Sequence, residues 1–265
     1  MSTPIFPRQQ GPSPVLPTGK MPARASSNIS APHQQLQPAP HTELRGAAAA
    51  RQRMVQRLSQ VHGIATPAVP AAMAAVERHG FVDSALTGQA YEDTSLPIGF
   101  GQTISKPQVV ARMLQLLLQV PLPADAKVLE IGTGCGYQAA VLAQVFPQVY
   151  SVERIAGLHH KAHQHLHALH QTGAALAGIR LILGDGMQGY APAAPYHAII
   201  AAAGGQQLPA AWLEQLAPGG RIVAPVAQGS NGQQALVVVD KAANGQLHYQ
   251  SLDAVHFVPL KSGLI

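Results

Sequence analysis

The 265-residue sequence predicts an α/β fold: a mostly parallel sheet flanked by helices, with an antiparallel C-terminal strand and an N-terminal helical subdomain. Three observations carry this expectation. From residue 127 onward, short apolar runs alternate with helical patterns, which implies parallel strands joined by crossover helices. The run Val128-Leu129-Glu130-Ile131 leads straight into glycines at 132, 134 and 136, and a helical pattern follows. Near the C-terminus, apolar runs at 235–240 and 246–252 bracket Asn244-Gly245, a strong hairpin signal.

The elements follow in chain order. Residues 1–41 are rich in Pro, Gln, Ser and Ala and poor in large apolar residues, so they are predicted to be a disordered arm. Thr42 to His62 reads as a helix with Thr42 as N-cap, a partial stripe of Met54, Val55, Leu58 and Val61, and Gly63 past its end. A second helix is expected from about Pro67 to His79, with Thr66 as N-cap and Gly80 as stop. Residues 81–105 are turn-rich. A longer helix spans Lys106 to Gln119 and breaks at Pro121 and Pro123. Then come strand 127–131, helix 137–145, strand 148–152, helix 155–170, strand 179–183, strand 196–201 and helix 208–216 around Trp212. Pro218-Gly219-Gly220 turns into strand 221–226, and the hairpin closes the chain, with its last strand reaching toward Val258. The chain thus divides into an arm (1–41), an N-terminal helical subdomain with a turn-rich loop (42–105) and a main domain with a C-terminal extension (106–265).

Charge narrows the partners. The formal net charge is +5, but residues 1–57 hold seven Lys/Arg against one acid and the remainder ten against eleven, so +6 belongs to the N-terminal region and −1 to the rest. The arm has one aromatic, Phe6, and no basic cluster interleaved with stacking residues, which argues against nucleic acid. No apolar run reaches membrane-span length, and the arm lacks a secretory apolar core. A single cysteine, Cys135, excludes an internal disulfide framework and fits a reducing cytoplasm.

The strand–glycine–helix unit is a cradle for a nucleotide-like ligand, because glycines admit close backbone approach and a helix N-terminus offers free N–H groups. A dinucleotide fingerprint would need glycine at 137, where Tyr137 stands. The pattern is E-x-G-x-G-x-G, which resembles the first motif of S-adenosylmethionine (SAM) methyltransferases. Glu130 before the glycines suits the cationic end of that ligand, directly or through water. Glu153 ends the second strand, where a carboxylate can accept both ribose hydroxyls, a feature shared with NAD sites. Asp185, in Gly184-Asp185-Gly186 after the third strand, suits the adenine amino group, or is a plain turn residue.

Longer segments are more specific. Leu96-Pro97-Ile98-Gly99-Phe100-Gly101-Gln102-Thr103-Ile104-Ser105-Lys106-Pro107, the glycine segment 128–138, Ser151-Val152-Glu153-Arg154-Ile155, Gly184-Asp185-Gly186 and Val258-Pro259-Leu260 together resemble the protein-L-isoaspartate O-methyltransferases over about residues 50–262. The resemblance implies a Rossmann-like, seven-stranded SAM methyltransferase fold. It also implies methylation of the free α-carboxylate of L-isoaspartyl residues, which begins their repair through a succinimide. It implies SAM as cosubstrate with no metal, isoaspartyl proteins and peptides as partners, and a cytoplasmic monomer. Residue by residue, it implies Ser105 as the catalytic serine. Gln102, Thr103, Ile104, Glu130, Gly132, Thr133, Gly134, Glu153, Arg154, Asp185 and Gly186 would hold SAM, and Gly101, Ser105, Val258, Pro259 and Leu260 the substrate. After the fourth strand the family carries an Ala-Ala-Pro-type turn, whereas this chain reads Ala201-Ala202-Ala203-Gly204-Gly205.

Plainer readings compete at several positions. Ser105 before Lys106-Pro107 is a natural helix N-cap, and both roles can hold. His159, His160, His163, His165, His167 and His170 share a helix whose buried stripe is Leu158, Ala162, Leu166 and Leu169, which leaves most of them facing solvent with no carboxylate or cysteine to complete a metal site. Cys135 reads as a small filler, Tyr137 as packing near the ligand or starting the helix, and Trp212 as a core anchor. Two alternatives remain: a SAM enzyme acting on another carboxylate, and a SAM-binding module without turnover. The chain also carries two succinimide-forming Asn-Gly pairs, Asn231-Gly232 and Asn244-Gly245, with isoaspartate expected to form faster at Asn231 because its loop is longer.

Overall fold

A computed structural model describes residues 41–172, 176, 178–229 and 232–265. The arm over residues 1–40 and Asn231 lie outside the described residues.

Helix α1 (His41–Gln60) buries Met54 and Leu58. Gly63 ends it at φ +65, and the Ile64 N–H reaches back to the Leu58 carbonyl at 3.0 Å, a C-terminal closure that only a left-handed residue permits. Val61 lies past the helix end and is 71% exposed, so the apolar stripe is one residue shorter than the sequence suggests. Helix α2 (Ala68–Ala75) is shorter than expected, and Thr66 does not cap it. The Ala65 and Thr66 amides bond instead to Gln115 Oε1 at 2.7 and 3.2 Å, a buried side chain on helix α3 (Pro107–Leu117).

Strands β1 (Leu96–Gly99) and β2 (Gln102–Ile104) form a small antiparallel ribbon ahead of α3. The main sheet has the order β5-β4-β3-β6-β7-β8-β9. Its strands are β3 (Lys127–Ile131), β4 (Gln148–Glu153), β5 (Ile179–Leu183), β6 (Tyr196–Ala201), β7 (Leu216–Gln228), β8 (Gln233–Lys241) and β9 (Leu247–Val255). The pairs from β5 to β7 are parallel and the last two antiparallel. β7 runs through Pro218-Gly219-Gly220 instead of starting after it. Its register with β6 shifts there, which absorbs the turn within the strand. The turn after β8 is closed by Ala242 N–H to Gln246 O, Gly245 N–H to Ala242 O and Gln246 N–H to Asn244 Oδ1, at 2.8, 2.9 and 3.0 Å.

Strand alternation sorts the core into two layers. Val128, Ala198, Val223 and Val238 face α3, helix α4 (Tyr137–Leu142), helix α5 (Ala156–Gln171) and the N-terminal helices in one cluster. Leu129, Ile131, Ile199, Ile222 and Val239 face Trp212 of helix α6 (Ala210–Gln215) in the other. The N-terminal helices therefore share a core with the sheet. The strand order reverses between β3 and β6, and in parallel sheets a crevice opens beyond the strand C-termini at such a point.

Candidate active site

The crevice is a cavity of about 350 Å³ lined by the ends of β3, β4 and β6, the β1–β2 ribbon and the segment 258–261. Its floor is the glycine loop. Gly132, Gly134 and Gly136 have φ of +90, +56 and +92, a region closed to most side chains. The Gly132 N–H donates to the Val152 carbonyl at 2.8 Å, and the Gly136 N–H to the Thr133 carbonyl at 2.9 Å. A β-carbon on Gly136 would stand 3.3 Å from Ala162 of α5, so glycine also permits that packing.

The three strand-end acids occupy three different settings. Glu153 is 5% exposed and lines the cavity. Its Oε2 accepts the Gly134 N–H and its Oε1 the Ile155 N–H, both at 2.9 Å. Each oxygen keeps a lone pair for a ligand hydroxyl. Glu130 is set back from the cavity wall. It does not line the cavity, because alternation along β3 turns it into the layer beneath the loop, beside its register partner Ser151. Ser151 Oγ donates to its Oε2 at 2.5 Å. Burial pushes its carboxyl up to about 8, against the Ser151 hydrogen bond. Burial therefore favours the neutral carboxyl, and its Oε1 has no hydrogen-bond partner among the described residues. Asp185 stands outside the lining too, while Gly186 beside it lines the cavity. Asp185 Oδ1 accepts the Met187 N–H at 2.9 Å and its Oδ2 the Gly263 N–H at 2.8 Å. Trp212 Nε1 donates to the Gly186 carbonyl at 2.8 Å, so this core tryptophan also fixes the turn.

The C-terminal residues form part of the site, which the sequence did not suggest. Arg154 Nε donates to the Gly263 carbonyl at 2.8 Å, and the backbones of Ile265 and residues 154–156 exchange bonds of 2.8 and 3.0 Å. Ile265, Lys261 and Arg154 all line the cavity. Phe100, at φ +54, lies over Gly157, where any β-carbon would collide with its ring. Lys161 Nζ ties α5 to the Ile98 carbonyl at 3.0 Å.

Ser105 lies at the junction of this cavity with a second one of about 270 Å³. Thr103, Ser105, Ala202 and Val258 line both. Of the other expected residues, Gly101, Gln102, Ile104, Thr133, Pro259 and Leu260 line the first. Ser105 is not the cap of α3. Pro107 occupies the first helical turn, the N-cap is Lys106 without a side-chain bond, and the orphan Gln108 N–H goes to Asp93 Oδ1 at 3.0 Å. The Ser105 hydroxyl has no bond among the described residues, which leaves it available to a ligand.

Gly204-Gly205, where the resemblance broke, makes a rigid wall. Gly204 N–H donates to Val258 O and Leu260 N–H to Gly204 O, each at 2.8 Å, while Ala227 N–H donates to Gly205 O at 2.9 Å. A β-carbon on Gly204 would lie 2.3 Å from the Gln234 amide, which itself holds the backbone of Phe257. Most of the helix-α5 histidines are exposed, but His165 is half-buried and its Nδ1 meets the Cys135 carbonyl at 2.9 Å, a further tie on the glycine loop. Among the described residues, no group of three His, Cys, Asp or Glu is arranged to hold a metal ion.

The family model for protein-L-isoaspartate(D-aspartate) O-methyltransferase matches residues 49–264. The chain belongs to this family. Protein-L-isoaspartate O-methyltransferases of Methylibium petroleiphilum and Leptothrix cholodnii are 56% and 55% identical to it over 214 residues, which cover 80% of this chain and 77% and 74% of theirs. One of Burkholderia mallei is 52% identical over 86% of this chain and 69% of its own. A solved protein-L-isoaspartate O-methyltransferase superposes with a TM-score of 0.71 at 25% identity, covering 81% of this chain and 67% of that one. A Plasmodium falciparum protein solved with S-adenosyl-L-homocysteine shares the fold at a TM-score of 0.70 and 23% identity, over 80% of this chain and 98% of its own. Membership of the isoaspartyl methyltransferase family agrees with the seven-stranded sheet, the antiparallel C-terminal strands and the glycine loop.

Proposed function

We propose that this enzyme transfers the methyl group of SAM to the free α-carboxylate of L-isoaspartyl residues in damaged proteins and peptides, with Ser105 orienting the acceptor. The observation that carries the residue assignment is the wall shared by the two cavities: Thr103, Ser105, Ala202 and Val258 border both. SAM, when bound, supplies an electrophilic methyl on a sulfonium.

The residues present fit that cosubstrate. The glycine loop admits close approach, Glu153 keeps acceptor capacity for the ribose, and the Gly186 turn, Arg154 and the ribbon residues Gln102 to Ile104 border the space for the rest. Asp185 reaches the ligand only from outside the present lining, so its role is to accept at the rim where Gly263 now donates. Glu130 acts beneath the loop.

No general base is required, because a free carboxyl ionises near pH 4 and the nucleophile is already an anion. The chain must align it, strip its water and avoid quenching it with a direct salt bridge. A neutral Ser105 hydroxyl donates one hydrogen bond and leaves the attacking lone pair free. Gly101 and Val258 to Leu260 hold the acceptor peptide, along the rigid Gly204 bridge. We divide the chain into the arm (1–41), the N-terminal subdomain (42–105) and the 106–265 domain. We also propose a monomeric, cytoplasmic enzyme; the single cysteine, Cys135, fits a reducing compartment.

The deciding measurement uses labelled SAM and paired peptides that differ only in aspartyl or isoaspartyl linkage. Base-labile label is expected on the isoaspartyl peptide alone. Equal labelling would point to a methyltransferase for other carboxylates, and SAM binding without label to a non-catalytic module.

A further inference from the structure

Arg78 sits in a short 3-10 turn, Arg78–Phe81, and is 0% exposed. Its Nε donates to the Ala90 carbonyl and its Nη2 to the Ser105 carbonyl, both at 2.7 Å. Its Nη1 is buried without a partner. The guanidinium lies 4.8 Å from the ring centroid of Tyr137, a cavity-lining residue at the start of α4. No carboxylate is among its partners, since neighbouring Glu77 turns to Arg51. Burying a cation without a counter-ion is unfavourable, and an apolar side chain would fill the space at lower cost. Packing alone therefore does not account for this residue.

The group it holds joins Ser105 to Lys106. That peptide is trans, so the Lys106 N–H points away from the carbonyl Arg78 grips. Among the described residues no acceptor takes the Lys106 N–H. Ser105 and Lys106 both line the second cavity. A cation bonded to a peptide carbonyl polarises the unit and strengthens the opposite N–H as a donor.

We propose that Arg78 is a positioning residue for the substrate carboxylate, acting through the Ser105–Lys106 peptide so that the Lys106 N–H and the Ser105 hydroxyl form a two-point anion grip. The arrangement meets the chemical demand of the reaction. A direct arginine–carboxylate pair would attract the acceptor but engage the lone pairs that must attack the methyl carbon. One peptide's separation keeps the attraction and leaves those lone pairs free. The inference rests on Ser105 facing that carboxylate.

The test compares Arg78→Lys, Arg78→Gln and Arg78→Met with Ser105→Ala, below each variant's melting temperature. Peptide KM and kcat and the SAM dissociation constant are measured for each. For the isoaspartyl peptide, kcat/KM is expected to fall about tenfold in the lysine variant and about a hundredfold in the neutral ones, with SAM affinity within about twofold of wild type. A purely structural arginine would lower the melting temperature and leave peptide kcat/KM per folded molecule unchanged, and that outcome overturns the proposal. If the neutral variants do not fold, Arg78→Lys decides alone: an unchanged peptide kcat/KM overturns it. Full activity in Ser105→Ala would instead remove the reading of Ser105 on which the proposal stands. An impaired Ser105→Ala beside normal Arg78 variants would remove only the relay.

Discussion

Asp93 caps the helix that Ser105 precedes: its Oδ1 accepts the Gln108 N–H at 3.0 Å. The cap and the serine are therefore separable. Ser105→Ala should leave the melting temperature close to wild type and lower isoaspartyl methylation by about 10- to 100-fold, the size of one lost hydrogen bond to a charged group. SAM affinity should barely change. Asp93→Ala should do the reverse in stability, losing about 0.5–2 kcal/mol as a missing cap. Denaturation curves and steady-state kinetics on both variants check the pair. A Ser105→Ala protein that is merely less stable would make the serine a structural residue.

Glu153 holds the glycine loop through Gly134 while it borders the ligand space. Glu153→Ala should weaken SAM binding by about 1.5–3 kcal/mol, because it removes a charged acceptor and frees two backbone donors. Asp185→Ala should have a smaller effect, since Asp185 stands outside the lining. Calorimetric titration with SAM gives the order. Equal losses would show that the bound state draws Asp185 inward.

Glu130 makes stability depend on pH in a set direction. Its folded pKa of about 8 lies above the ordinary 4.5, so the folded protein keeps the proton that the unfolded chain releases. Stability from this group is full below about pH 4.5 and is lost as pH rises toward 8, at up to about 1.4 kcal/mol per pH unit. Glu130→Gln removes this dependence. The variant should gain on wild type between pH 5 and pH 8 in parallel urea unfolding series. A constant difference across that range would mean the carboxyl is ionised in the fold.

Residues 262–265 supply a donor to Asp185, two acceptors to Arg154 and a paired edge for residues 154–156. Their deletion should speed SAM dissociation and weaken its affinity by about tenfold, in keeping with lost positioning of two rim side chains. Stopped-flow displacement measures the off-rate. Tighter binding after truncation would identify the tail as a competitor for the site.

The fold was legible because the first parallel strands are apolar runs with glycine or an acid at their ends, as in 127–131 and 148–153. Local chemistry also exposed the hairpin at Asn244-Gly245. The misreadings are long-range. Ser105 looked like a cap because nothing local reveals that Asp93, fifteen residues earlier, takes the Gln108 N–H. Glu130 precedes the glycines in sequence but points beneath them, a consequence of strand alternation and of Ser151 on the neighbouring strand. Arg78 drew no expectation from sequence, because its partners, the Ala90 and Ser105 carbonyls, lie 12 and 27 residues away. His165 hid among exposed histidines, with only its position next to Leu166 on the inward stripe as a signal.

The Asn244-Gly245 turn bears on how this protein ages. Succinimide formation needs the Gly245 nitrogen to attack the Asn244 side-chain carbon. Here that nitrogen is engaged with the Ala242 carbonyl, and the Asn244 side-chain oxygen is engaged with the Gln246 amide. Both reacting partners must leave hydrogen bonds before they can meet, and the hairpin around them must open. A chain that recognises spontaneous backbone damage thus keeps one of its own most vulnerable dipeptides in a slow-reacting geometry, which spares the catalyst from becoming its own workload.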